Sequence, residues 1–343
     1  MRYRVLKNKL ENNYKVFLAL CILSIEGVVM YVESLRGRDF LSILDCSRVE
    51  LESLIKLSFE FKRRYYSGEK IIPILQNKIL ALIFEKPSTR TRVSLQVAIQ
   101  QLGGHSLYLS SAELQLARGE PIKDTARVLD RYVDGVAARV YRHESLIELA
   151  NYSQKPVINA LSDREHPLQA LADVMTIIEV KKNLKNLKIA FVGDGRDNVV
   201  HSLMLAIATL GGKLYIATPK GYDPEISLLK KAYERASESG AEIVIVRDAV
   251  EAVDNADVVY TDVWVSMGQE SERERRLKDL GAYQVNAELV RYAKKDFIFM
   301  HCLPAHRGEE VTDEVIESPN SVVWIQAENR LHTAKAVLAS ILR

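Results

Sequence analysis

From Leu35 onward, short apolar runs rich in isoleucine and valine alternate with longer segments whose apolar residues recur at helical period. That alternation predicts an α/β protein with parallel sheets. It occurs twice. In the first half the predicted strands are residues 79–84, 106–109, 135–139 and 157–160, separated by helices such as 91–102. In the second half they are 188–192, 213–217, 242–246, 258–262, 297–300 and 322–325. Between the halves a predicted helix, 166–181, leads into the polar stretch 182–185, which suits a domain junction. The expected division is an extension, 1–33, a first domain, 34–170, a second, 171–325, and a terminal segment, 326–343, whose helix covers 331–342. Ligands of open parallel sheets bind beyond the carboxyl ends of strands, so the loops there are where chemistry is expected.

The amino terminus breaks the pattern. Arg2, Arg4, Lys7, Lys9 and Lys15 precede an apolar run from Val16 to Val32 that contains Glu26 and Gly27, which make it a costly membrane span. With no small-residue cleavage site after it, the segment reads as a foreign extension ahead of Met30, with an organellar transit peptide as the alternative.

Length and charge narrow the function. A chain of 343 residues exceeds what one hydrophobic core usually serves. Its 47 lysines and arginines nearly balance 45 acidic residues, with no basic stripe of the kind that binds nucleic acid. Cys21, Cys46 and Cys302 are odd in number and widely spaced, which fits a reducing compartment and a cytoplasmic enzyme.

The first predicted strand runs into Glu85-Lys86-Pro87-Ser88-Thr89-Arg90-Thr91-Arg92, with a helix expected immediately afterwards. Unpaired N–H groups at a helix start, three hydroxyls and a guanidinium able to grip two oxygens at once make a phosphate cradle. An ordinary capped helix with solvated arginines is the plainer reading. Gln115 and Arg118, Arg139 at a strand end, and His166-Pro167-Leu168-Gln169 are weaker signals singly. Together with the cradle they form a set in which Arg139 and His166 can polarise a carbonyl oxygen, as acyl transfer requires.

In the second half, Asp262 ends a predicted strand ahead of Ser266-Met267-Gly268, and Asn198 closes the loop Gly193-Asp194-Gly195-Arg196-Asp197-Asn198. A strand, a Gly-x-Gly turn and a helix also make half of a dinucleotide fingerprint. Asn198 stands where the third glycine would fall, and no acidic residue ends the next strand, which argues against a nicotinamide site. Cys302 has three open readings: nucleophile, polar contact or buried small residue.

Ser88-Thr89-Arg90-Thr91, His166-Pro167-Leu168-Gln169, Asp262 with Ser266-Met267-Gly268, and His301-Cys302-Leu303-Pro304 stand in the order and spacing of the carbamoyltransferases. From about Ser34 to its end the chain resembles the aspartate/ornithine carbamoyltransferase family, and the last two sets resemble its ornithine-using members. The resemblance implies two domains, each a parallel sheet flanked by helices, with the C-terminal helix returning to the first. It implies transfer of the carbamoyl group of carbamoyl phosphate to the side-chain amine of L-ornithine, within arginine biosynthesis. Carbamoyl phosphate would meet Ser88, Thr89, Arg90, Thr91, Gln115, Arg139, His166, Gln169, Cys302, Leu303 and Arg330; ornithine would meet Asn198, Asp262, Ser266 and Met267. Arg139, His166 and Cys302 would be catalytic, and Leu303-Pro304 a cis peptide.

Direct attack by a neutral amine on an activated carbonyl calls for neither metal nor organic cofactor. A homotrimer is implied, with the loop of Gln115 reaching a neighbour's site; neither nucleic acid nor membrane is an expected partner. Asp197 departs from the family, where a second asparagine often stands, and Trp324-Ile325-Gln326 replaces a usual phenylalanine and acidic pair. The rivals are transfer to another amine and a non-catalytic binder of the same fold. An aspartate-using relative would carry a basic residue at Cys302, to meet its acceptor's second carboxylate.

Overall fold

Nine strands form two separate, wholly parallel sheets in the computed structural model, which describes residues 30–266 and 268–343. The extension 1–29 lies outside the described residues; Tyr31–Arg343 is one compact unit. In the first sheet β1 (Ile79–Phe84), β2 (His105–Ser110), β3 (Gly135–Arg139) and β4 (Val157–Leu161) take the order β2-β1-β3-β4. In the second, β5 (Lys188–Val192), β6 (Lys213–Ala217), β7 (Glu242–Val246), β8 (Val258–Tyr260) and β9 (Ile298–Met300) take the order β7-β6-β5-β8-β9.

The sequence of β1 explains its place. Ile-Leu-Ala-Leu-Ile-Phe is almost wholly buried, as an inner parallel strand covered on both faces must be. The edge strand β2 instead has no buried position, its residues being exposed or half-buried. Each sheet has one switch point, where the chain turns from building one side to building the other. In the first sheet it lies between β1 and β3; in the second, between β5 and β8. The carboxyl ends of those four strands, and the turns and helix starts just beyond them, carry Ser88–Thr91, Arg139, Asn198 and Asp262.

Three expected elements differ. The helix after β1 spans Thr89–Gln101, so the hydroxyl run forms its cap and first turn rather than preceding it. Strand β8 stops at Tyr260, because the Thr261 hydroxyl turns back to donate to the Val192 carbonyl at 2.6 Å, leaving Asp262 beyond the ladder. The expected strand 322–325 is absent: Val323–Ile341 is one continuous helix, and only Ser321 bridges to Phe299 of β9. A short apolar run does not distinguish a strand from a buried helical turn.

That terminal helix packs on the helices Arg48–Tyr66 and Thr89–Gln101 of the first half and on the junction helix Pro167–Lys181. A buried ion pair fastens it there. Lys62 Nζ lies 2.9 Å from Glu179 Oε2 and donates to Asn329 Oδ1 at 2.8 Å, while Asn329 Nδ2 donates to Glu179. Among the described residues no helix is long and apolar enough to cross a membrane.

Candidate active site

Ser88 is the N-cap of Thr89–Gln101, its hydroxyl accepting from the Thr91 backbone N–H at 3.3 Å. The capping reading of that serine therefore holds, yet it leaves the arginines to be explained. Arg92 is engaged, donating to Gln96 and stacking on the Tyr108 ring. Arg90 makes no hydrogen bond or ion pair with another described residue, and its charge acts on Arg139, His166 and Arg330. Thr91 is buried and its Oγ1 accepts from Arg330 Nη2 at 3.0 Å. The other end of that guanidinium donates to Gln169 Oε1, and Gln169 Nε2 donates to Asp173 at 2.7 Å.

Arg139 ends β3, where the register against β4 shifts. It is 7% exposed, and its Nε is buried without a partner. Burial and the nearby Arg330 pull its pKa down to about 10. Arg330 is likewise lowered to about 10, chiefly by burial. His166 caps the helix Pro167–Lys181, with Pro167 preset at the first helical position. Its Nδ1 is buried and has no hydrogen-bond partner among the described residues, and burial together with Arg330, Arg139 and Arg90 holds the ring well below the usual histidine range. A neutral imidazole and three guanidinium groups thus meet at one corner, where Arg139 Nε and His166 Nδ1 find no hydrogen-bond partner among the described residues. Such a corner favours an anion.

Facing it are the loops of the second sheet. Asp262 Oδ1 accepts from the Cys302 thiol at 3.0 Å. Burial and that carboxyl hold the thiol well above its ordinary range, so Cys302 is an S–H donor and not a thiolate. Asp262 is pushed up by burial and by Asp197; Asp197 is pushed up by burial and by Asp194. Asp197 also caps Asn198–Leu210 through the Val199 N–H at 2.7 Å and meets Ser266 Oγ at 3.4 Å. Asn198 opens that helix, half-buried. Leu303 has φ +62° and precedes a cis Pro304; its N–H donates to His301 Nδ1 at 2.9 Å. Arg139 and Arg330 both act electrostatically on Cys302, which joins the two groups of residues.

Two predicted residues are not brought in. Gln115 sits exposed at the start of the turn Gln115–Arg118 and makes no side-chain hydrogen bond to the cluster among the described residues. Met267 lies outside the described residues.

Sequence reasoning did not single out a buried polar bridge between the halves. Asp173 accepts from Gln169 and from Gln326 Nε2, each at 2.7 Å, and from Tyr260 at 3.0 Å; Gln326 Oε1 accepts the His301 N–H. The signal available was Gln169-x-x-x-Asp173, which puts both side chains on one helix face. Gln326 was noticed only as a departure from its family.

The fold and site define a two-sheet α/β protein with a corner suited to an anion at one switch point and a cluster of polar groups at the other. Two family models match nearly the whole of it: aspartate/ornithine carbamoyltransferase, carbamoyl-P binding domain, over residues 38–179, and the Asp/Orn binding domain over 185–341. The chain belongs to the aspartate/ornithine carbamoyltransferase family. It is 59% identical over 312 residues to the ornithine carbamoyltransferase of Staphylothermus marinus, covering 91% of this chain and 99% of that one. With that of Hyperthermus butylicus it shares 61% identity over 308 residues, 90% and 98% of the two chains. The solved ornithine carbamoyltransferase of Pyrococcus furiosus superposes with a TM-score of 0.87 at 56% identity, covering 90% of this chain and 98% of that one.

Proposed function

We propose that this chain is an enzyme that transfers the carbamoyl group of carbamoyl phosphate to the side-chain amine of L-ornithine, giving L-citrulline and phosphate in arginine biosynthesis. The observation that carries the reading is the corner of guanidinium groups around Thr91 and His166 Nδ1, which has no hydrogen-bond partner among the described residues, set against the Asp262–Cys302 pair.

In this reading Ser88, Thr89, Arg90 and Thr91 hold the phosphate, and Gln169, Arg330 and the Leu303 carbonyl orient the carbamoyl group. Asp262 receives the α-ammonium of ornithine, with Asn198, Ser266 and Met267 around its other polar atoms. The neutral amine attacks the carbonyl carbon, a C–N bond forms and the C–O bond to phosphate breaks. Arg139, neutral His166 and the Thr91 hydroxyl meet the developing oxyanion. The attacking nitrogen must lose a proton. A buried carboxyl with a raised pKa is matched to that exchange, and the Cys302 thiol orients it.

The domain limits we assign are 34–170 and 171–325, with 326–343 returning to the first. A homotrimer is the assembly we expect, Gln115 serving a neighbouring protomer, and the cytoplasm the compartment. The exposure of Gln115, away from its own cluster, supports that arrangement.

Purified chain supplied with carbamoyl phosphate and ornithine should form citrulline, with aspartate, putrescine and N-acetylornithine as separate controls. Turnover with another acceptor alone would keep the chemistry and change the substrate; no turnover by folded protein would favour a non-catalytic binder. Light scattering of the same preparation tests the trimer.

A further inference from the structure

Behind the loop of Cys302 and Leu303 lies a second group of side chains that the proposed reaction does not use. His306 Nδ1 is 3.8 Å from a Glu309 carboxylate oxygen and 4.0 Å from Glu310 Oε2. These atoms are all buried, and none has a hydrogen-bond partner among the described residues. Glu310 is 0% exposed, so its free oxygen is not itself in contact with bulk solvent. An uncompensated carboxylate oxygen in such a place is costly.

The other oxygens are taken. Glu310 Oε1 accepts from the His306 N–H at 2.5 Å and from His301 Nε2 at 3.2 Å, while Glu309 Oε1 pairs with Arg273. What remains is one imidazole nitrogen and two carboxylate oxygens, and the three residues each offer a ligand atom within 4.8 Å of the others'. With Nδ1 unprotonated, three lone pairs converge there from two acidic residues and an imidazole, the donor set of a divalent cation. The bonds of a divalent transition-metal ion to such ligands are about 2.0–2.2 Å, which sets neighbouring ligand atoms roughly 3.3 Å apart. Side-chain shifts of under about an ångström close that gap. His306 is 42% exposed on its side chain, which leaves a way in from solvent and room for water ligands.

The geometry points to a binding site for a divalent ion of the zinc or cobalt type at His306, Glu309 and Glu310. The neighbouring trio of Asp262, His301 and Cys302 also lies close together but has no free lone pairs on its histidine. His301 Nδ1 accepts from Leu303, and Nε2 donates to Glu310. Through that relay an ion on Glu310 fixes the His301 tautomer and the turn at Leu303, so His306 and Glu309 are positioning residues and touch no substrate.

The test is a calorimetric titration of the full chain, first stripped with chelator, with Zn2+ and Co2+. We expect one saturable equivalent per chain, binding weakened at least ten-fold by H306A and by E309Q and retained by C302S, and a Co2+ spectrum free of thiolate charge-transfer bands. Should H306A fail to fold, E309Q gives the same reading from a partly exposed position. Absence of saturable binding overturns the assignment, as does binding that H306A or E309Q retains. Loss in C302S would put sulfur in the coordination sphere and overturn it equally.

Discussion

Arg330 and Thr91 lie 239 residues apart in sequence, yet Arg330 Nη2 donates to Thr91 Oγ1 at 3.0 Å. The contact brings the last helix onto the first turn of the helix that caps the phosphate corner, so the corner is complete only when the helix after β1 and the last helix have met. Arg330→Met should lower kcat/KM for carbamoyl phosphate by about ten-fold to a hundred-fold, the scale of a lost charged hydrogen bond. An unchanged value in a folded variant would detach Arg330 from the site.

Arg90 is held by no ion pair among the described residues, so its removal leaves no carboxylate there stranded. Arg90→Ala should weaken binding of carbamoyl phosphate by about 1.5–3 kcal/mol with little loss of stability. Calorimetric titration with carbamoyl phosphate measures the first, and thermal unfolding the second. Unchanged affinity would move the cradle elsewhere.

Asp197 adds a carboxyl beside Asp262, and its charge helps push Asp262 upward. A carboxyl with a raised pKa is ionised above that pKa and neutral below it. The KM for ornithine should therefore rise as pH falls through it, because a neutral Asp262 no longer attracts the α-ammonium. In Asp197→Asn the repulsion is gone, so the rise should begin at lower pH. A profile that does not move would show that the two carboxyls are independent.

The Cys302 thiol is held protonated by burial and by Asp262. Alkylation followed peptide by peptide should be slow at neutral pH for Cys302, and slow for Cys46, whose burial raises it to about 12. Asp262→Asn removes the negative neighbour and should lower the Cys302 pKa and speed its alkylation, leaving Cys46 unchanged. Equal acceleration of both would indicate loosened structure instead.

Lys62 and Glu179 form a pair in which both side chains are nearly buried, 4% and 7% exposed. Lys62→Met strands a carboxylate that keeps only the Asn329 donor, and should cost about 3–5 kcal/mol in denaturant unfolding. A loss under about 1 kcal/mol, the range of exposed pairs, would mean that water reaches the site.

Much was legible in the residues themselves. Apolar runs covered on both faces marked the inner strands such as β1, and the residue types at Ser88–Thr91 and at His166 announced a site for an anion and a polarised carbonyl. Strand lengths followed closely, except where a side chain rather than a pattern ended the ladder, as Thr261 does by bonding Val192. The run Val322 to Ile325 misled because burial makes a helical turn and a strand equally apolar.

The order of strands within each sheet was not written locally. The sequence determined that two sets of parallel strands would form and which loops carried polar chemistry. Only the tertiary structure decided that β1 lies beside β3 and β5 beside β8, which makes Ser88–Thr91 and Arg139 neighbours at one switch point and Asn198 and Asp262 neighbours at the other. It also decided that Gln326, a departure without meaning in the sequence, would bridge Asp173, Tyr260 and His301. Local pattern reports how each segment hides its apolar face; which segments hide theirs against one another depends on packing over the whole chain.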